Sequence, residues 1–201
     1  MTLDLGSADQ LRSALATVAA ILVILFGFDG QVDWEAHDRV IRRMVDAGVR
    51  LVTPNGNTGE FYALTAAEAR RATESAVAAT AGSGAGLAEL TAPACWTAGA
   101  RGFTSGLVNV APALSLSMVE SLRGGDMAGA MKAWEDCRAF EELRAADSSA
   151  DNVSVVKEAL AQLGLCRPDV RPPSHRVPGE VRTQITEILE SWGLAVGGQD
   201  R

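Results

Sequence analysis

The residues whose types and spacing can do chemistry are concentrated in one short turn, Gly56-Asn57-Thr58-Gly59-Glu60. Backbone N–H groups brought together by small residues, with a hydroxyl among them, can hold a small anion. A glycine turn of this kind also serves as a plain tight connection, so residue types alone leave both uses open. Few other chemical groups compete with it. The two histidines, His37 and His175, are far apart and neither neighbours a cysteine, so no metal site is expected. His37 falls on or near an apolar helical stripe and reads as a packed histidine. There is no GxGxxG after a strand and no GxxxxGK[ST], which excludes a nicotinamide or phosphate-loop site. Cys95, Cys137 and Cys166 are an odd number without ligand spacing, as expected of thiols in a reducing cytoplasm. Only two lysines, Lys132 and Lys157, and one tyrosine, Tyr62, are present.

The elements that must position this turn follow from pattern. Val49, Leu51 and Val52 read as a short buried strand entering it. Thr65-Ala66-Ala67-Glu68 is a capping box opening a helix that leaves it and runs to about Thr80. Upstream, Ala20–Phe28 has the uninterrupted apolar character of a strand covered on both faces. Asp33 caps a helix over 34–47, with Val40, Ile41, Met44 and Val45 at helical spacing and Gly48 as its stop. This order opens a parallel α/β fold.

Downstream, the small-residue stretch 79–86 reads as a linker. Residues 92–98 form a short helix, 102–110 read as a strand, and Pro112 suits the first turn of the next helix. Helices follow: one marked by Leu114, Met118 and Leu122 and stopped at Gly124-Gly125, and one over 127–144 capped by Asp126. In the second, Met127, Met131, Trp134, Cys137 and Phe140 are expected to face inward. A third carries Val153, Val156, Leu160 and Leu163, and a last one Val181, Ile185, Ile188, Leu189 and Trp192.

With 201 residues, 47% of them hydrophobic, and a net charge of −7, the chain suits a soluble globular protein. The acidic balance argues against nucleic acid or an anionic membrane as partner. The uncharged run 14–28 is shorter than the ~20 residues of a spanning helix and lacks a basic leader. A cytoplasmic location without membrane association is expected.

Three segments, GNTGEFYALT at 56–65, GARGFTSGLVNVAP at 99–112 and DNVSVVKEALAQLG at 151–164, together resemble the dihydrodipicolinate synthase / N-acetylneuraminate lyase family. That resemblance implies a (β/α)8 barrel whose lysine forms a Schiff base with pyruvate or another α-keto acid, with no further cofactor. It implies that Gly56, Asn57, Thr58 and Gly59 bind the substrate carboxylate. Asn57 stands where the synthase branch usually has a second, proton-passing threonine. The chain is also short for a barrel, which typically needs about 250 residues. Strands three to seven have no counterpart, and ILFGF at 24–28 lacks the family's proline.

The expectation is therefore an α/β fold built on a partial barrel that retains strands equivalent to one, two and eight. Residues 1–125 form this incomplete barrel, with an apparent deletion junction near 80–87, and 126–201 form a C-terminal helical region. The imine lysine and catalytic tyrosine belong to the missing strands, so no catalytic residue is assigned. Tyr62 matches no catalytic position, and either lysine would have to be moved to act. A lyase by family but inactive in chemistry is expected, or else a non-catalytic partner of an intact homologue, a weak keto-acid binder, or a gene remnant. Val23, Phe26, Leu51, Phe103 and Leu107 are expected to lose neighbours on an open face, which favours a homo-oligomer or association with a homologue.

Overall fold

A computed structural model of the chain describes residues 17–54, 56–79, 89, 92–97 and 102–197. The expected junction near 80–87, the linker at 79–86 beyond Ala79, and residues 1–16 lie outside the described residues. Three short strands, β1 (Val18–Ile21), β2 (Leu51–Thr53) and β3 (Phe103–Ser105), form a parallel sheet in the order β2-β1-β3. Ala20 of β1 faces Val52 of β2 and Ser105 of β3 in register. Around the sheet lie α1 (Trp34–Asp46), α2 (Ala66–Ala79), α3 (Ala92–Thr97), α4 (Pro112–Gly124), α5 (Met127–Ser149), α6 (Asn152–Gln162) and α7 (Gly179–Ser191).

The sequence signals for helix ends act as their chemistry requires. Asp33 Oδ1 accepts the Ala36 N–H at 2.9 Å, and Asp126 Oδ1 accepts that of Gly129 at 2.9 Å. Thr65 and Glu68 close their box in both directions, at 2.8 and 3.3 Å. Gly125 and Gly164 take left-handed φ values of 73° and 69° just past α4 and α6, where a Cβ would be strained.

Two strands are shorter than their apolar runs. After Ile21 the ladder stops and the backbone bonds scatter: Leu22 donates to Thr53 O (3.2 Å), Asp33 donates to Leu25 O (2.8 Å), and Phe26 bridges Val32. The run 102–110 is strand only at its start. The Ser105 hydroxyl accepts the Val108 N–H at 2.8 Å, and a single tight helical turn over Leu107–Asn109 replaces the ladder.

One hydrophobic cluster joins Val18, Val23 and Phe103 to Phe140, Val156, Leu160, Ile185 and Leu189, so the C-terminal helices share a core with the sheet. Val23, Phe26, Leu51, Phe103 and Leu107, expected to be left on an open face, are each at most 3% exposed. Lost neighbours therefore give no reason for self-association. The inward stripe of α5 also differs from expectation. Its buried apolar residues are Ala130, Ala133, Cys137 and Phe140, while Met127 and Met131 are 40% and 42% exposed. Alanines thus take inward positions of α5, and the two methionines stand on its exposed side.

Met118 of α4 is fully buried and Met131 is not. Met118→Ala is expected to cost about 2–5 kcal/mol in urea unfolding, and Met131→Ala less than about 0.5 kcal/mol. Equal losses would contradict this placement of the stripe.

Candidate functional site: the turn after the second strand

The Gly56–Glu60 turn follows the C-terminal end of β2 and packs against β1 and α6. Its shape comes from its own backbone: the Gly59 N–H donates to Gly56 O at 2.9 Å and the Glu60 N–H to Asn57 O at 3.0 Å. A Cβ on Gly59 would stand 2.5 Å from Leu22 O, so only glycine lets the turn lie against β1. Asn57 is exposed and Thr58 is buried. The four residues assigned to carboxylate binding thus stay together, with Thr58 directed into the protein.

Glu60 ends the turn in the left-handed region, at φ 50°. A non-glycine residue there costs roughly 1–2 kcal/mol and needs outside support. The support is a buried ion pair. Glu60 and Lys157 of α6 are both fully buried, and Lys157 Nζ is paired with Glu60 Oε2. Lys157 Nζ also donates to Asp169 O at 2.8 Å and lies 4.1 Å from the centre of the Phe26 ring. Glu60 Oε1 accepts the Arg171 N–H at 3.2 Å. Burial pushes the Lys157 ammonium below the ordinary lysine range, and the Glu60 carboxylate acts against that shift.

Arg171 completes the frame. Its guanidinium also faces the Phe26 ring, at 4.2 Å, and bonds Glu68 (2.7 Å), Ala63 O (2.9 Å) and Gly30 O (2.8 Å). The bond from Arg171, with those from Thr65, holds the Glu68 carboxyl down at about 2. The proline-rich segment after α6 is therefore strapped across the turn, the loop after β1 and the start of α2.

The other expected groups lie elsewhere. Lys132 is exposed on α5 and pairs with Asp136 at 2.9 Å. Tyr62 is half exposed, edge-on to Phe61, with its hydroxyl 3.2 Å from Ser174 Oγ. His37 is buried with Nδ1 3.0 Å from Val23 O, and burial lowers its pKa; it is a core histidine. A cavity of about 700 Å3 opens between α1, α4, α5 and the end of α7, but none of the turn residues line it. Its cations are engaged: Arg43 donates to Asn109 O and Val110 O, and Lys132 to Asp136.

Sequence reasoning missed the part played by Lys157, although a signal was present. Val153, Val156, Lys157 and Leu160 follow the i, i+3, i+4, i+7 spacing of an inward face, and a lysine on such a face needs a buried acid.

A second buried polar cluster joins β3, α4 and α5. Glu89, fully buried, accepts hydrogen bonds on one oxygen from the hydroxyls of Ser105 and Ser115. Glu141 lies near it, paired with Arg144, whose Nη2 also donates to Asn152 Oδ1 at 2.6 Å. A Cβ on Gly106 would collide with that guanidinium. Burial, and then the Glu141 charge, raise the Glu89 carboxyl to about 7, and burial pushes the Cys137 thiol up beside it.

The Glu89 proton gives a pH signature of defined sign. Folded chain keeps it up to about pH 7, whereas the unfolded chain releases it near the ordinary value of 4.5. The native state thus holds the extra proton between those values, and stability falls as pH rises through that window. The drop is on the order of 3 kcal/mol. His37, with its lowered pKa, works in the opposite direction below pH 6.5, so the comparison must be with a Glu89→Gln variant. The stability of that variant relative to the unaltered chain should rise as pH increases from about 4.5 to 7 and level off above that. Parallel profiles would refute the assignment.

No functionally curated protein matches the sequence. Among solved structures, dihydrodipicolinate synthase from Bacillus clausii superimposes with a TM-score of 0.80 at 25% identity, covering 92% of this chain and 100% of that one. N-acetylneuraminate lyase from Proteus mirabilis gives 0.75 at 12% identity, covering 89% and 99%. YagE, a prophage protein of the dihydrodipicolinic acid synthase family from E. coli K12 in complex with pyruvate, gives 0.71 at 15%, covering 89% and 99%. The model of the dihydrodipicolinate synthetase family matches residues 80–192, more than half of the chain. This α/β chain therefore belongs to the dihydrodipicolinate synthetase family.

Proposed function

We propose that the chain is an incomplete (β/α)8 barrel of this family that holds pyruvate or another α-keto acid by its carboxylate without forming an imine. In this reading residues 1–125 are the remnant barrel and 126–201 its helical cover. The order β2-β1-β3 supports it, since strands equivalent to two, one and eight are neighbours where a barrel closes. Gly56 and Gly59 shape the turn, and the donors assigned to the carboxylate are the amides of Asn57 and Thr58 with the Thr58 hydroxyl.

The observation that carries the reading is the engagement of both lysines. Imine formation needs a neutral amine with access to a carbonyl carbon. Lys157 is sealed from solvent against Glu60, and Lys132 stands on the outer face of α5 with Asp136. Tyr62, the only tyrosine, is turned to Ser174 rather than toward an amine.

Borohydride reduction in the presence of pyruvate, followed by intact-mass measurement, tests the chemistry. No pyruvyl adduct is expected; a stoichiometric adduct on Lys132 or Lys157 would overturn the proposal. Binding is tested by pyruvate titration monitored on backbone amides. Thr58→Ala should weaken it about 2- to 13-fold, the equivalent of the ~0.5–1.5 kcal/mol of one neutral hydrogen bond. An unchanged affinity would remove the turn from the site.

A further inference from the structure

We propose that the buried Lys157–Glu60 pair is the positioning device of the anion-holding turn, with Lys157 acting through Glu60 on the placement of Thr58. The inference rests on the carboxylate reading given above. The geometry behind it is local and complete. Glu60 is the residue at which the turn leaves its tight helical bonds, and its left-handed backbone sets the direction of the chain on both sides. Each of its oxygens has one partner, Lys157 Nζ on Oε2 and the Arg171 N–H on Oε1. Lys157 is in turn fixed by Asp169 O and by the Phe26 ring, which Arg171 also faces. Two separate segments thus meet on the Glu60 side chain, one residue beyond Gly59, and a third backs both of them through the Phe26 ring.

Charge gives the pair a second part. A carboxylate fixed beside a turn that is to receive another carboxylate would repel it. With Lys157 the site carries no net charge at that point, and the backbone donors set the potential. A lysine that serves this purpose is withdrawn from covalent chemistry, in keeping with its complete burial.

Two variants test the idea in the full chain. Lys157→Met leaves Glu60 buried and unpaired. Glu60→Gln combined with Lys157→Met removes both charges, which spares the core an unpaired ion and keeps the variant folded. Hydrogen exchange is read at the Gly59 and Glu60 amides, whose bonds define the turn, against the Val49 amide bonded to Met44 O as reference. In both variants exchange at the turn should rise about tenfold relative to the reference, and pyruvate affinity should fall about tenfold. A doubly substituted chain that is folded and keeps the exchange ratio and pyruvate affinity of the unaltered chain would overturn the proposal. So would a loss of protection equal at all three amides, since that reports only general destabilisation. If the unaltered chain shows no saturable response to pyruvate, the carboxylate reading fails, and the exchange ratio still decides whether the pair holds the turn.

Discussion

The ion pair between Lys157 and Glu60 is the interaction on which the rest of the arrangement depends. Removing two charges from water costs several kcal/mol per ion, and their attraction offsets that only where the remaining hydrogen-bonding capacity is also met. Here it is met by Asp169 O on the ammonium, by the Arg171 amide on the carboxylate, and by the electron-rich face of Phe26. Asp169 and Arg171 come from the proline-rich segment, and Phe26 from the loop after β1. The proline-rich segment therefore cannot peel away, nor the loop after β1 shift, without leaving a bare charge in the core. A pair contributing little net stability can still dictate which segments lie side by side.

Helix positions were readable from sequence because their signals are local. Asp33, Asp126 and the Thr65–Glu68 box need only neighbours three residues away, and the structure has each of them in place. Strand lengths were harder to read because an apolar run reports burial and not ladder pairing. Leu22 to Phe26 are buried beyond the strand with one bridge, and Ser105 diverts its strand through a side-chain bond that composition does not reveal. The α5 stripe was misread at its start because Met127 and Met131 are the more apolar residues, whereas Ala130 and Ala133 are the buried ones. For the site, Gly56 to Gly59 were readable from residue type as a tight turn, whereas their carboxylate role came only from the family resemblance. The Glu60–Lys157 contact, between residues almost a hundred positions apart, required the fold.

Family membership and the engagement of the two lysines are separate observations on this chain. The turn after β2, its glycine contact with Leu22 O and the helical cover over it are all present. A nucleophilic amine facing an open cleft is not found among the described residues, because the chain has two lysines and both are spoken for. The fold likeness at a TM-score of 0.80 reports the backbone path and carries no information on that point.

Gly106 couples distant parts of the molecule. The space a methyl group would take there is filled by the Arg144 guanidinium, which holds Glu141 and Asn152. A side chain at 106 would therefore evict an arginine instead of merely crowding a neighbour. Glu141 would then stand uncompensated near Glu89, and the proton on Glu89 would be held more tightly still. The smallest residue of the third strand's exit thus governs how strongly a carboxyl group on a different segment keeps its hydrogen, and substitution there would be read first as a change in acidity.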